Sequence, residues 1–168
     1  MNAIVLLNHP LLTSDGLEMN VSRLDFERLK HKYTQSSEAQ MSEAQWVEGE
    51  QEYRRFLTLK CFYPSVALVP SKMVDEIWHA HILDTRAYRE DCHTVFGRFI
   101  DHYPYFGIYG EDDHQELKNA FAQTVALYEK HFGVYPGGGN EEQAMRCGDD
   151  HKCHVPTTCA CRVEGACK

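Results

Sequence analysis

The run Val74-Asp75-Glu76-Ile77-Trp78-His79-Ala80-His81 places two carboxylates and two imidazoles within eight residues, and His102 follows in the next stretch of chain. Carboxylate oxygen and imidazole nitrogen are ligands for divalent ions such as Zn or Fe. Whether they act together depends on the element that carries them. On a helix, side chains at i and i+2 do not share a face, so His79 and His81 point in different directions and do not chelate one ion as a pair. Asp75 and His79, at i and i+4, do share a face. The spacing therefore predicts a ligand set of Asp75 and His79 completed by His102 from the downstream loop, with His81 as a further candidate ligand. The competing reading is structural: Asp75 and His79 as a surface hydrogen-bonded pair, and His81 as a core histidine satisfied by some partner.

A second concentration of ligands lies near the end of the sequence. Cys147, His151, Cys153, His154, Cys159, Cys161 and Cys167 are soft or borderline donors in a short stretch. The Cys-x-Cys step at Cys159 and Cys161 suits Zn or Cu(I) held by thiolate softness more than by geometry. A Cys-x-x-Cys knuckle is missing, which argues against a standard zinc finger. Disulfide or redox exchange, and an inert tail, are the alternatives. The chain has seven cysteines, an odd number, and five fall from Cys147 onward, unlike a disulfide framework spread through a secreted domain.

The elements that must position the first set read as helices. Asn20 to Tyr33 carries Val21, Leu24 and Leu29 near helical spacing, with Asn20 as N-cap. Ser42 with Gln45 makes a capping box ahead of Trp46, Tyr53, Leu57 and Cys61, and Pro64 ends that helix. A third helix runs from Ser71 to about His93. On it Val74, Ile77, Trp78, His81, Thr85, Tyr88 and Cys92 share an apolar arc of about 140°, while Asp75, His79, Arg86 and Glu90 form a second, polar face. Gly97 to Gly110 is an irregular aromatic loop. The last helix starts at Asp113, with Glu116 three residues on, and stacks Leu117, Phe121, Val125, Tyr128 and Phe132 on one face before Gly133. The expected fold is all-α, a compact bundle of four main helices over residues 1–135. Residues 136–168 are a Gly hinge, Pro136 to Gly139, followed by a Cys/His-rich tail with almost no apolar periodicity.

Bulk composition narrows the function. The 168 residues are 43% hydrophobic and 25% charged, enough for one core. With 17 Lys+Arg against 25 Asp+Glu the net charge is -8, which argues against nucleic acid as a partner. No apolar run has the length of a membrane span, and Ala3 to Leu7 is too short for a signal-peptide core, so the expected location is cytoplasmic, with no membrane partner.

Taken together, Val74, Asp75, Trp78, His79, His81, Ile82, Leu83, Thr85, Tyr88, Asp91, Cys92, Gly97, His102 and Pro104 resemble the core of the glycine-rich domain-containing protein-like family. The similarity runs from the approach segment Tyr53 to Leu57 through Pro104 and centres on Val-Asp-x-x-Trp-His-x-His. It implies that these positions form a site, without implying an activity. The long Gly-rich regions of that family are missing here, and the Cys-rich tail falls outside its pattern.

Three functions are compatible with these residues. The first is a metal-binding helical domain, for Zn or Fe, with a soft-metal or redox-active tail. The second is a mononuclear metal-dependent enzyme, a hydrolase or a non-haem Fe oxygenase. In it Asp75, His79 and His102 are ligands, His81 or Glu76 is a proton shuttle, and the Tyr103 to Tyr109 aromatics are the pocket wall. The third is a non-catalytic module in which the aromatic loop docks a protein partner, or a carrier of a modified Cys-rich segment.

Overall fold

Ser42 Oγ accepts from the Gln45 backbone N–H at 3.2 Å, and Gln45 Oε1 accepts from the Ser42 N–H at 2.8 Å, closing the expected capping box. This cap starts the helix against which most of the others pack. The computed structural model describes residues 11–138. In chain order the helices are α1 (Met19–Ser22), α2 (Glu27–Gln35), α3 (Glu43–Phe62), α4 (Lys72–Leu83), α5 (Thr85–Phe96) and α6 (Glu111–Phe132), with a 3-10 turn at Pro136–Gly138. Among the described residues there is no named strand, only an isolated bridge between Leu12 and Glu18. The fold is all-α, as expected. The tail ligands Cys147, Cys153, His154, Cys159, Cys161 and Cys167 lie outside the described residues.

Two of the four expected helical segments are each broken in two, for identifiable reasons. In the first, Asn20 is not the cap. Glu18, itself buried, accepts from the N–H groups of Asn20 and Val21 at 2.8 and 3.0 Å. The chain then stops being helical before Phe26, whose ring is driven into the core against Tyr53 and His81. The break frees backbone carbonyls, and the Arg54 guanidinium from α3 takes two of them, donating to Val21 O at 2.7 Å and Leu24 O at 2.8 Å.

The second break, at Asp84, shapes the site. Asp84 leaves helical geometry, with φ -82° and ψ 71°, and its carboxylate accepts from the Ala87 N–H at 3.2 Å. A short acidic side chain here caps a new helix rather than continuing the old one. Continuous helix would put residues ten apart about 15 Å apart along the axis. The turn folds α5 back instead. Trp78 Nε1 then donates to Tyr88 Oη at 3.0 Å, and His81 Nε2 meets Asp91 Oδ2 at 3.0 Å. Thr85, expected on the core arc, is exposed because the break rotates it outward.

The core is continuous across the helices. Val21, Trp46, Tyr53, Leu59, Ile77, Leu117 and Phe121 are essentially sealed from solvent. The α6 stripe packs as its spacing requires, with Leu117, Phe121 and Tyr128 buried and Val125 and Phe132 against them. That helix begins two residues earlier than Asp113, whose carboxylate instead accepts from the Tyr109 N–H at 3.0 Å. Thr124 Oγ1 accepts from the Val69 N–H at 2.9 Å and ties the α3–α4 connection to α6. Where the aromatic loop meets α6, a Cβ on Gly107 would stand 2.6 Å from Leu117 Cδ2 at a backbone φ of +83°, so only glycine fits that approach.

Candidate metal centre

Asp75 sits in the first turn of α4, where the helix's free N–H groups favour a negative charge, and Ser71 caps that turn. His79 follows one turn later on the same side. His102 arrives from the loop after α5, held by two interactions that radiate from Trp78. The Trp78 and His102 rings meet edge to face, with centroids 4.6 Å apart. Tyr88, which accepts from Trp78, donates its own O–H to the Ile100 carbonyl at 2.6 Å and pins the chain two residues before His102.

The result is a convergence of three ligand side chains from two separated stretches of chain. His102 Nε2 lies 2.9 Å from Asp75 Oδ1 and 3.1 Å from His79 Nε2, and His79 Nε2 lies 3.6 Å from Asp75 Oδ2. One ligand atom from each residue falls within 4.8 Å of the others, and this is the group of that kind among the described residues. The carboxylate side chain is 5% exposed, that of His102 16% and that of His79 32%, so the cluster is buried at its base and open toward His79.

Protons fit this arrangement poorly. A carboxylate only accepts, and two Nε2 atoms facing each other at 3.1 Å cannot both carry hydrogen. If one carries it, the other nitrogen and the carboxylate compete for that single donor. A cation uses all three lone pairs at once, and neighbouring ligands of an ion bound at about 2.0–2.2 Å stand about 3.0–3.5 Å apart. The residues present fit a divalent ion.

His81 joins a different set. It is 2% exposed, with Nδ1 3.0 Å from Tyr53 Oη and Nε2 3.0 Å from Asp91 Oδ2. Asp91 accepts, so Nε2–H donates to it, and Nδ1 is left to accept from Tyr53. Burial holds the Tyr53 phenol well above its usual range, which keeps that proton on oxygen. Phe26 and Tyr88 pack their rings edge-on against the same imidazole. His81 is therefore a core histidine with both nitrogens engaged, and not a fourth member of the cluster.

The cluster opens on a cavity of about 390 Å³. Its wall includes Asp75, His79 and His102 together with Trp78, and apolar surface from Leu68, Val69 and Phe106. From the aromatic loop Tyr103 and Pro104 also reach it, but Tyr105 and Tyr109 do not, and Tyr109 is largely exposed. Neither His81 nor Glu76, the shuttle candidates, lines it. Beyond the triad, the charged groups that do are Lys60 and Asp101, which spacing along the chain did not single out. Lys60 lies in the last turn of α3, and burial, with Arg98 nearby, lowers its ammonium to about 8. The only local hint was a lysine adjoining an apolar helical stripe, a pattern that also describes an ordinary surface residue.

The core thiols are not part of the site. Burial pushes Cys61 up to about 12 and also raises Cys92, so both are held as thiols and serve as packing. Among the described residues no helix is long and apolar enough to cross a membrane.

No curated protein and no solved structure is a match for this chain. One family model does match, over residues 18–129, and the match extends from the cap of α1 into α6. It contains the three converging side chains and every residue named above as lining the cavity. On that match the chain belongs to the UCP032817-like family.

Proposed function

We propose that the chain is a metal-binding helical domain. Asp75, His79 and His102 hold one Zn or Fe ion facing the cavity, the arrangement of a mononuclear metal-dependent enzyme rather than of a sealed structural site. The observation that carries this reading is the approach of Asp75, His79 and His102 donor atoms to 2.9–3.6 Å of one another at the wall of a 390 Å³ cavity. A structural ion has four protein ligands and no access, whereas three ligands with adjoining space leave coordination positions for something else. An ion held there would supply Lewis acidity, or redox chemistry if it is Fe.

The protein's own residues would do the rest. Asp75 anchors the ion from a helix N-terminal turn, Trp78 and Tyr88 orient His102, and burial shields the base of the cluster at Asp75. The similarity of this motif to the glycine-rich domain-containing protein-like family, and soft-metal binding by the Cys tail, belong to the same proposal.

The test must separate this site from the tail thiols. In a full-length chain with Cys147, Cys153, Cys159, Cys161 and Cys167 replaced by Ser, elemental analysis after loading with Zn or Fe(II) should give one ion per chain. His102→Ala in that background should weaken retention by more than the roughly 10–100-fold that an outer-shell partner is worth. Unchanged metal content in His79→Ala/His102→Ala would overturn the proposal.

A further inference from the structure

The triad supplies only part of the charge that faces the cavity. Lys60 and Asp101 supply the remainder. The Lys60 ammonium lies 5.4 Å from the Phe56 ring centroid and 5.2 Å from that of Trp78. Aromatic faces attract a cation but do not replace its hydrogen-bonding shell, so this charge sits against ring surface in a space with room for a counter-ion. Arg98 also acts on this ammonium, but it is exposed and does not line the cavity, so solvent screens its charge from an occupant. Trp78 touches both partners, with Lys60 over its ring and His102 against its edge. The ammonium and the triad are thus neighbours across one indole.

Charge and size then restrict the occupant. With a divalent ion on the triad, the carboxylates of Asp75 and Asp101 offset its charge and Lys60 remains as a single surplus positive charge. That balance matches a monoanion better than a dianionic phosphate. The volume is at the small end of ligand pockets, and Leu68, Val69 and Phe106 offer a hydrocarbon body somewhere to lie.

We infer that this cavity binds a small organic monocarboxylate with an apolar body, its carboxylate recognised jointly by the ion on Asp75, His79 and His102 and by Lys60. The inference rests on the metal reading above. It assigns the substrate class of that site and makes Lys60 its specificity-determining residue.

The experiment uses full-length protein carrying the five Cys→Ser replacements and loaded with Co(II), whose visible absorption reports its ligands, with benzoate and hexanoate as probes. Both should bind one per chain with a saturable change in the Co(II) spectrum. Benzyl alcohol should produce none, and inorganic phosphate should bind more weakly. Lys60→Met should weaken benzoate binding about 10-fold or more while Co(II) stoichiometry stays at one. Lys60→Arg, which keeps the charge, should retain most of the affinity and guards against a folding defect in the first variant. Equal benzoate affinity in Lys60→Met, or benzyl alcohol binding as tightly as benzoate, would overturn the inference while leaving the metal site standing. Failure of the chain to take up Co(II) at all would instead remove the metal reading and this inference with it.

Discussion

His79 and His81 stand on the same helix with one alanine between them, and their surroundings differ in kind. Around His81 every polar atom has a complementary one: Tyr53 gives a proton to Nδ1, and Nε2 gives one to Asp91, with Phe26 and Tyr88 sealing the ring. Around His79 Nε2, the His102 nitrogen and the Asp75 carboxylate bring further lone pairs together beside a cavity. A histidine in a closed hydrogen-bonded chain stabilises the fold and has no capacity left for a ligand. One among convergent lone pairs is available to a cation. The identity of the residue says nothing about which case applies; the donor and acceptor count around it does.

The largest test of this contrast is to remove each imidazole in turn. His81→Ala leaves a cavity and strands the buried Tyr53 hydroxyl, and should cost about 2–4 kcal/mol of folding stability. His79→Ala should change the stability of the metal-free protein by no more than about 0.5 kcal/mol, because that side chain is partly exposed. Urea unfolding of both metal-free variants checks the pair, and equal losses would erase the distinction between the two faces.

An intermediate effect is expected at the residue that links the faces. Tyr88→Phe removes the acceptor for Trp78 and the donor to Ile100, so it should destabilise by about 1–2 kcal/mol and loosen His102. Metal affinity should fall roughly 10-fold, as for other groups that orient a ligand. Competition with a chelator, compared with wild type, measures it. A stability loss with unchanged affinity would mean that His102 is positioned without Tyr88.

A dependence on pH rather than a single loss sharpens the account of the cavity. The Lys60 ammonium releases its proton near 8 when folded against 10.5 in the unfolded chain. Between those values the unfolded state binds more protons, so this group makes stability rise with pH over that window and is neutral in effect above it. Lys60→Met should flatten the rise. Unfolding free energies of the two proteins measured from pH 7 to 10.5 would show a converging difference, and parallel curves would place the ammonium in water.

Several features of this protein follow from sequence alone. The Ser42–Gln45 box, the α6 stripe from Leu117 to Tyr128, the all-α class and the divergence of His79 from His81 are local, because capping and the 3.6-residue repeat act over one or two turns. The same periodicity paired Asp75 with His79, and His102 was the nearest loop imidazole. What the local pattern could not supply was the interruption of two of the expected helices. The continuation of a helix through Asp84, or through the stretch before Phe26, is decided by competition between a backbone ladder and distant partners: Arg54 for freed carbonyls, Tyr88 for Trp78, Asp91 for His81. Those partners are brought together only when the core closes. The same holds for Lys60 and Asp101, whose place in the cavity depends on α3 and the aromatic loop meeting across Trp78. Short-range spacing selected the residues able to bind an ion, and tertiary packing decided which of them share one.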